Sequence, residues 1–169
     1  MISNLLQHDE IDIQTNTEFN YEKHKPNKKI LFSGAIDALN NRIFGSLEYR
    51  STRFSHQDAP RSNFLQTATL NYLGDEIYTR VTDIRKIASQ DIDKSVLISE
   101  IPVEFFPGLN EPYYPIQSTE NNLLYQQYLK RTQEFFVDLI PFGRLGDYKY
   151  YDMDQAVARA LQLTNSLVA

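Results

Sequence analysis

The segment Gly143–Gln155 gathers the residue types that a site for a flat, anionic ligand requires. Arg144 offers a rigid cationic fork, and three tyrosines offer flat rings with hydroxyl groups. A short apolar run precedes the segment and the apolar stretch Ala156–Leu167 follows it, which predicts a strand, a polar loop with two glycines and a helix start. Because free N–H groups at a helix start bind phosphate and electron-rich oxygens, we predict one wall of a site for a flat cofactor or a nucleotide sugar. An ordinary strand–turn–helix with surface tyrosines is the alternative interpretation.

Two aspartates, Asp152 and Asp154, stand where this helix would begin. A carboxylate at that position can accept hydrogen bonds from the free N–H groups of the first turn. We therefore expect one of the two to cap the helix.

Three arginines stand beside aromatic residues in strand-like stretches: Arg50, Arg53 and Arg80. Arginine pairs with phosphate through two parallel hydrogen bonds, so each is a candidate to bind a phosphate-bearing ligand. In a strand, Arg50 lies on the face opposite Arg53. The alternative is a sheet face of ion pairs, with the acidic partners Glu48, Asp75 and Asp83.

The tyrosine pair Tyr113 and Tyr114 is bounded by Pro112 and Pro115. Proline fixes its own φ and restricts the residue before it, so this loop is stiff before any ligand arrives. A binding loop and a packed loop are both open at this point.

The sequence lacks the residue patterns of several common catalytic, nucleotide-binding and metal sites. It contains no cysteine, no Gly-x-Ser-x-Gly, no Walker loop and no Gly-x-Gly-x-x-Gly. The histidines stand alone in polar stretches, so we predict surface residues and no metal site: His8, His24 and His56. The net charge of −5 argues against a nucleic-acid or anionic-membrane partner. No apolar run approaches the length of a membrane span and the first residues carry no signal-peptide pattern, so we expect a cytoplasmic protein.

The elements that must position these residues follow from the hydrophobic pattern. Between residues 47 and 103, strand-like stretches follow one another without an intervening helix, which predicts an antiparallel sheet of four or more strands. The predicted strands are Leu47–Phe54, Phe64–Tyr72, Ile77–Ile87 and Val96–Val103.

Other elements precede and follow this sheet. In chain order, we predict a helix end over 1–7, a strand at Ile11 and Ile13, a strand over Ile30–Ser33, a short helix over Ile36–Phe44, a helix over Glu120–Phe136 and a strand over Leu139–Phe142. The order predicts an α+β fold that is incomplete, because the first and last segments have no obvious partner within the chain. Since exposed strand edges pair with other chains, we expect the ends to loosen or to self-associate as a homodimer.

Taken together, segments spread over residues 30–162 resemble UDP-galactopyranose mutase, a flavoenzyme family that interconverts the pyranose and furanose forms of UDP-galactose. Phe44–Phe54 follows the family's Gly-x-Leu-Glu-Tyr-Arg-Ser-Leu-x-Phe, and Phe32–Asp37 resembles its Tyr-Thr-Gly-Pro-Ile-Asp. The other matches, in the family's order, are Leu70–Tyr72, Tyr78–Arg80, Glu111–Ile116 and Gly143–Gln155.

Two departures from the family pattern leave the nucleotide sugar open. Ala35 replaces a proline, and Val81–Lys86 differs from the family's Ile-Ile-Glu-His-Lys. The resemblance also covers only the second half of the family, after the dinucleotide fingerprint, the helical domain and the mobile arginine loop. It therefore indicates a truncated chain or a split gene.

The resemblance implies a division of the chain into three regions. Residues 1–44 would be segments that return to the flavin-binding α/β domain, and 45–118 would form the antiparallel, substrate-side sheet domain. Residues 119–169 would be the C-terminal helix–strand–helix that completes the flavin-binding domain.

For the substrate, UDP-galactose or UDP-galactofuranose, the resemblance implies four binding residues. Arg80 would lie against the diphosphate and the flavin edge, where it stabilises the departing UDP. Asn71 would face the substrate, and Tyr114 and Tyr150 would hydrogen-bond the diphosphate. Arg80 and Asp152, which would lie near the sugar and the flavin, are the catalytic residues that the resemblance implies.

For the cofactor, the resemblance implies FAD in its reduced form, which supplies the covalent chemistry at the anomeric carbon. Arg144 would bind the flavin, and Glu18 and Phe19 would lie near the adenine. The loop and helix start beside the pyrophosphate and the ring would be Tyr151, Asp152, Met153, Asp154, Gln155 and Ala156.

The implied function is the C-terminal portion of a mutase, an isomerase that serves cell-surface polysaccharide synthesis. Because the chain lacks the dinucleotide fingerprint, we expect it to bind no FAD and to have no mutase activity alone. Two alternatives stay open. One is a non-catalytic module that binds a sugar nucleotide or a protein, and the other is a mutase for a different nucleotide hexose.

Overall fold

The computed structural model describes residues 2–24, 28–60 and 65–168, and all statements below concern these ranges. In chain order its elements are α1 (Ile2–Leu6), β1 (Ile30–Phe32), α2 (Ile36–Leu39), β2 (Tyr49–Pro60), β3 (Thr69–Asn71), β4 (Arg80–Asp83), α3 (Ile84–Ile87), β5 (Lys94–Glu104), β6 (Tyr114–Pro115), α4 (Thr119–Phe135), β7 (Leu139–Pro141), α5 (Gly143–Gly146) and α6 (Met153–Val168). The fold is α+β, as predicted.

Five of these strands form one antiparallel sheet in the order β3-β4-β5-β2-β6. The long strands β2 and β5 pair along their whole length, from Arg50 opposite Glu104 to Pro60 opposite Lys94. At the start of β2, Tyr49 and Ser51 are buried while Arg50 is exposed. This alternation gives the sheet one packed face and one open face there. The predicted antiparallel sheet is confirmed.

A second, two-stranded sheet pairs β1 with β7 in parallel, with Ile30 opposite Leu139. The predicted strands over Ile30–Ser33 and Leu139–Phe142 are therefore confirmed, but the expectation that the last strand lacks a parallel partner is wrong. The chain after β7 is also not the predicted loop, because it forms the short helix α5. An added Cβ at Gly146 would lie 2.8 Å from the Phe32 carbonyl oxygen, so glycine lets α5 approach β1 closely.

The main core lies where α2, α4 and the start of β2 meet. Its buried members are Ile36, Leu47, Tyr49, Tyr128 and Tyr148. They come from all three of the predicted regions, whose boundaries stay a prediction. Two of the hydroxyl groups that this core buries donate to backbone carbonyls: Tyr128 Oη to that of Gly45 at 2.5 Å, and Tyr148 Oη to that of Glu48 at 2.6 Å. The buried Tyr49 hydroxyl has no hydrogen-bond partner among the described residues.

Helix α4 confirms the predicted helix over Glu120–Phe136 with a shift of one residue at each end. Ser118 ends the preceding loop and accepts a hydrogen bond from the Asn121 N–H, so it caps the helix. The helices α1, α2 and α6 also lie where helices were predicted, although α2 is only four residues long.

The strand predicted at Ile11 and Ile13 is wrong. Residues 7–24 contain no strand, and the two side chains are 43% and 53% exposed. Asn16 has a φ of 54°, which breaks the extended backbone. Apolar alternation favours a strand only where one face is buried, and no strand of the described residues pairs with this segment.

The strand predicted over Ile77–Ile87 is shorter than expected. It ends at Asp83, whose carboxylate accepts the Arg85 N–H and starts the helical turn α3. Of the strand predicted over Phe64–Tyr72, Phe64 lies outside the described residues, and only Thr69–Asn71 is a strand. None of the helices in the described ranges is long and apolar enough to cross a membrane.

Candidate functional site

An arginine and two tyrosines from separate parts of the chain form one cluster. The Arg144 Cζ lies 5.3 Å from the ring centroid of Tyr114 and 5.0 Å from that of Tyr150. The two rings stack on each other with centroids 5.6 Å apart and an angle of 27°. Because Tyr114 belongs to β6 and Arg144 to α5, the cluster joins the large sheet to the C-terminal segment. We call these three residues the arginine–tyrosine cluster.

Backbone carbonyls fix the Arg144 side chain within this cluster. Its Nη2 donates to the Tyr151 carbonyl at 2.6 Å and its Nη1 to the Tyr113 carbonyl at 3.4 Å. The guanidinium therefore bridges the proline-bounded loop and the segment before α6. Its charge has no carboxylate partner among the ion pairs of the described residues, so it is available to an anionic ligand.

Tyr150 and Asp152 are joined by a hydrogen bond of 3.1 Å from Tyr150 Oη to Asp152 Oδ1. This bond, together with the negative charge of Asp152, raises the pKa of the Tyr150 hydroxyl.

The prediction that an aspartate side chain caps α6 is wrong. Asp152 occupies the position before the helix, but it is the Gln155 Oε1 that accepts from the Asp152 N–H, at 3.0 Å.

The first turn of α6 has backbone N–H groups without helical partners. The Ala156 N–H bonds to the Asp152 carbonyl, which is the first bond of the helix. The N–H groups of Met153, Asp154 and Gln155 precede it and have no carbonyl one turn back. With Arg144 held by Tyr151 nearby in the chain, this segment suits a negatively charged or electron-rich group.

On the large sheet, two predicted substrate residues are hydrogen-bonded to each other. Arg80 Nε donates to Asn71 Oδ1 at 3.0 Å, and Arg80 Nη1 lies 3.5 Å from Glu100 Oε1. The Arg80 side chain is 47% exposed, so this arrangement orients the guanidinium and leaves it open to solvent.

The strand register places these residues and Tyr114 on one face of the sheet. Arg80 lies opposite Asn71 and Glu100, and Glu100 lies opposite Phe54. Tyr114 lies opposite Arg50, which is four residues from Phe54 and therefore on the same face. The Phe54 ring also contacts the Tyr113 ring, with centroids 6.1 Å apart. Arg53 belongs to the opposite face of β2.

Comparison with known proteins gives the family. The family model described as UDP-galactopyranose mutase matches residues 1–150. The chain belongs to the UDP-galactopyranose mutase family. Its relatives include the UDP-galactopyranose mutase of Mycoplasma genitalium, which is 30% identical over 94% of this chain and 43% of the relative. A probable UDP-galactopyranose mutase of Klebsiella pneumoniae is 29% identical over 100% of this chain and 44% of the relative.

A relative with another name is also similar to this chain. The dTDP-fucopyranose mutase of Escherichia coli is 26% identical over 96% of this chain and 45% of the relative. The chain thus spans less than half the length of these curated relatives. The resemblance inferred from the motifs is confirmed at the level of the mutase family.

The predicted site residues of this family member fall into three places. Tyr114, Arg144 and Tyr150 meet in the arginine–tyrosine cluster, and the residues from Tyr151 to Ala156 continue from it into α6. Asn71 and Arg80 lie together on the open sheet face. The third place is a separate cavity of about 700 Å³ beside β1, which Glu18 and Phe19 line together with Gly34 and Ala35 but without any residue of the other two places.

Sequence reasoning missed Asp147, which lies inside the mutase motif Gly143–Gln155. Its carboxylate accepts from the Tyr151 hydroxyl and from the Arg159 guanidinium, and its role becomes visible only once α6 is folded beside α5. Phe54 and Glu100 were also missed as neighbours of the site. Strand register could have found them, but the pairing of β2, β4 and β5 cannot be read from local patterns.

In the mutase motif Phe32–Asp37, the aspartate is buried rather than exposed to a ligand or solvent. Asp37 is 1% exposed, accepts the Leu47 N–H at 3.2 Å and lies 3.5 Å from Arg42 Nε. Burial raises the pKa of its carboxyl, while these two partners oppose the shift. We interpret Asp37 as the residue that ties α2 to the turn before β2.

The histidines do not come together. His8 and His56 are exposed, as predicted, whereas His24 is half-buried. No group of three or more potential metal ligands occurs in the part of the chain that the structure describes.

Proposed function

We propose that this chain is the C-terminal, substrate-facing portion of a flavin-dependent UDP-galactopyranose mutase. The reaction would interconvert UDP-galactopyranose and UDP-galactofuranose for cell-surface polysaccharide synthesis. The observation that carries this proposal is the arginine–tyrosine cluster. It unites two mutase motifs that lie about thirty residues apart in the sequence, between Tyr114 and Arg144.

The substrate diphosphate would bind over the open sheet face. Arg80 would pair with it, and Asn71 would hold the Arg80 guanidinium in place. As UDP departs, negative charge grows on its diphosphate, and a cation that is already oriented stabilises that charge without reorganising. Tyr114 and Tyr150 would donate their hydroxyl hydrogen bonds to the same group, which their stacked arrangement supports.

The residues present fit one wall of a flavin site. Arg144 and the first-turn N–H groups of α6 offer positive charge and donors, and they would hold FAD together with residues 151–156. FAD, when bound, would supply the covalent chemistry at the anomeric carbon. Asp152 would serve as a carboxylate beside the sugar once Tyr150, whose hydroxyl donates to Asp152 Oδ1 in this structure, turns that hydroxyl to the diphosphate. Glu18 and Phe19 would lie near the adenine.

A second candidate is a mutase for a different nucleotide hexose. The similarity to the dTDP-fucopyranose mutase favours keeping this candidate, as do the departures at Ala35 and Val81–Lys86. A non-catalytic module that binds sugar nucleotides remains the third.

The test is a titration of the ¹⁵N-labelled chain with UDP and, separately, with dTDP. We expect UDP to shift the resonances of Arg80, Asn71, Tyr114 and Tyr150. Arg80→Ala should abolish the shifts, and Arg53→Ala, which removes an arginine from the opposite sheet face, should preserve them. Tighter binding of dTDP would favour the second candidate. Shifts confined to other surfaces, or no shifts with either nucleotide, would contradict the proposal.

The proposal includes a cytoplasmic location and self-association of the chain. The parallel sheet of β1 and β7 has only two strands, so each strand is an edge strand. Exposed edges of this kind can pair with another copy of the chain. Light scattering of the purified chain would reveal the dimer, and a monomer at all concentrations would contradict it.

A further inference from the structure

The carboxylate of Asp147 is a meeting point for three parts of the chain around the arginine–tyrosine cluster. Its Oδ2 accepts from the Gly143 N–H at 3.2 Å, from the Tyr151 Oη at 3.0 Å and from the Arg159 Nε at 3.0 Å. Its Oδ1 accepts from Arg159 Nη2 at 3.2 Å. The start of α5, the segment before α6 and α6 itself are therefore tied to one side chain.

Tyr151 is consequently held at both ends. Its hydroxyl donates to Asp147, and its carbonyl accepts from Arg144. Arg144 also contacts the ring of Tyr150. The position of Tyr151 therefore affects the positions of both the guanidinium and the neighbouring ring. A shift of Tyr151 would be transmitted directly to the cluster.

The backbone in this segment also needs support. Tyr148 has a φ of 47°, a conformation that residues other than glycine adopt at a cost. Tyr148 follows Asp147 directly and precedes Tyr150 by two residues. Contacts on both sides of Tyr148 therefore help to hold this part of the backbone in place.

The pair formed by Asp147 and Arg159 is unlike an isolated surface ion pair. Both nitrogens of the Arg159 fork engage the carboxylate, and the two side chains are only 15% and 29% exposed. Two-pronged arginine–carboxylate contacts fix geometry as well as charge. By contrast, Lys29 and Asp138 form a single exposed contact of 3.1 Å, at 42% and 50% exposure.

We propose that Asp147, held by Arg159, is the positioning residue that sets the geometry of the arginine–tyrosine cluster for its nucleotide ligand. This inference rests on the proposed function for the identity of the ligand, but not for the positioning itself. Asp147 does not touch the ligand in this assignment. It acts through Tyr151, whose hydroxyl donates to Asp147 and whose carbonyl accepts from Arg144.

The test combines three measurements on the whole chain with ¹³C-labelled tyrosine rings. The first is the contact between the rings of Tyr114 and Tyr150, followed by nuclear Overhauser effects. The second is the pH titration of Tyr151, and the third is UDP affinity. The variants are Asp147→Asn, Arg159→Met and Arg159→Lys, with Asp138→Asn as the control that removes a carboxylate from an exposed pair.

Asp147→Asn should weaken the ring contact and lower UDP affinity about tenfold to a hundredfold, the range expected for the loss of one hydrogen bond to a charged group. It should also lower the pKa of Tyr151, because the hydrogen bond and negative charge of Asp147 add to burial in raising that pKa. Arg159→Met should weaken the ring contact and affinity as well, but raise the pKa of Tyr151, because Arg159 lowers it. Arg159→Lys should restore part of the affinity, and Asp138→Asn should change none of the three.

The opposite pKa directions separate positioning from a general loss of structure, which would move both variants the same way. If Asp147→Asn does not fold, the comparison of Arg159→Met with Arg159→Lys carries the test. An unchanged ring contact in the folded variants would overturn the inference. If the unaltered chain binds no UDP, the proposed function fails, while the ring contact still decides the role of Asp147.

Discussion

Arg80 and Asn71 face each other across the antiparallel strands β4 and β3 and share a hydrogen bond of 3.0 Å. Each residue belongs to a different short motif. The two residues lie nine positions apart in the sequence, and the pairing of β3 with β4 brings them into direct contact. Because Glu100 approaches the same guanidinium from the next strand, Arg80 is held from both sides. A cation held this way is oriented before a ligand arrives, which is the property that electrostatic stabilisation of a leaving group requires.

Gly146→Ala should destabilise the fold by about 1–3 kcal/mol, the usual cost of overpacking. A methyl group at this position would lie 2.8 Å from the Phe32 carbonyl oxygen and 3.5 Å from the Pro141 Cα, both of them backbone atoms that cannot swing away. Gly74→Ala is the matched control, because its nearest contact is the end of the flexible Glu76 side chain. The measurement is unfolding by urea, and equal midpoints for the two variants would argue against close packing of α5 on β1.

Stability should fall between about pH 10 and pH 12 because of Tyr148. Burial, as the largest cause, raises the pKa of its hydroxyl to about 12, above its ordinary value of 10.0. The folded state then holds a proton that the unfolded state has released, so the stabilisation is complete below pH 10 and is lost as the pH rises. A shift of this size corresponds to roughly 2–3 kcal/mol.

The check is the free energy of unfolding at pH 9 and pH 11.5 for the unaltered chain and for Tyr148→Phe. The variant loses the hydrogen bond to the Glu48 carbonyl and should be less stable at pH 9. Its dependence on pH should be shallower in this range. An identical slope in both proteins would show that Tyr148 does not contribute to the loss of stability in this range.

The regular elements could be predicted from the sequence where local pattern and burial agree. The helix α4 has a serine cap and an apolar side, and its ends were predicted to within one residue. The alternation along β2 correctly predicted that Arg50 and Arg53 lie on opposite faces of the strand. These features depend on neighbours in sequence, which is what a pattern records.

The errors came from contacts that a hydrophobic pattern does not record. Ile11 and Ile13 alternate like a strand, but within the described ranges no strand pairs with them. The carboxylate of Asp83 ends β4 early by starting a helical turn, which overrides the apolar pattern that continues to Ile87. The motifs contain the three residues of the arginine–tyrosine cluster, but they did not predict that these residues meet. They also gave no role to Asp147, because its partner Arg159 meets it only after α6 folds back.

The chain alone should bind no FAD. Its sequence carries no Gly-x-Gly-x-x-Gly, so it offers no glycine-rich turn for the pyrophosphate, and Arg144 with the start of α6 is only one wall of a site. The measurement is a visible spectrum after incubation with FAD and desalting, with the full-length Klebsiella pneumoniae relative as positive control. A stoichiometric flavin band in the chain would contradict this prediction.

Arg80→Ala should cost far more turnover than Arg53→Ala in a complete mutase that contains this chain. Arg80 lies on the open sheet face with Asn71 and Tyr114, where the proposal places the diphosphate, whereas Arg53 lies on the opposite face of β2. Removing an oriented donor to developing charge typically costs about 2.7–4 kcal/mol, roughly a hundredfold to a thousandfold in rate. Losing an exposed surface arginine costs on the order of 0–1 kcal/mol.

The assay would follow conversion of UDP-galactofuranose to UDP-galactopyranose under reducing conditions, in a chimera that joins this chain to the part of the Mycoplasma genitalium relative that it does not span. Arg80→Lys keeps the charge but loses the two-pronged geometry, so it should fall between Arg80→Ala and the unaltered protein. The size of that intermediate loss separates charge from orientation, because a full rescue by lysine would mean that charge alone suffices. Near-normal turnover of Arg80→Ala would show that the open sheet face is not part of the active site.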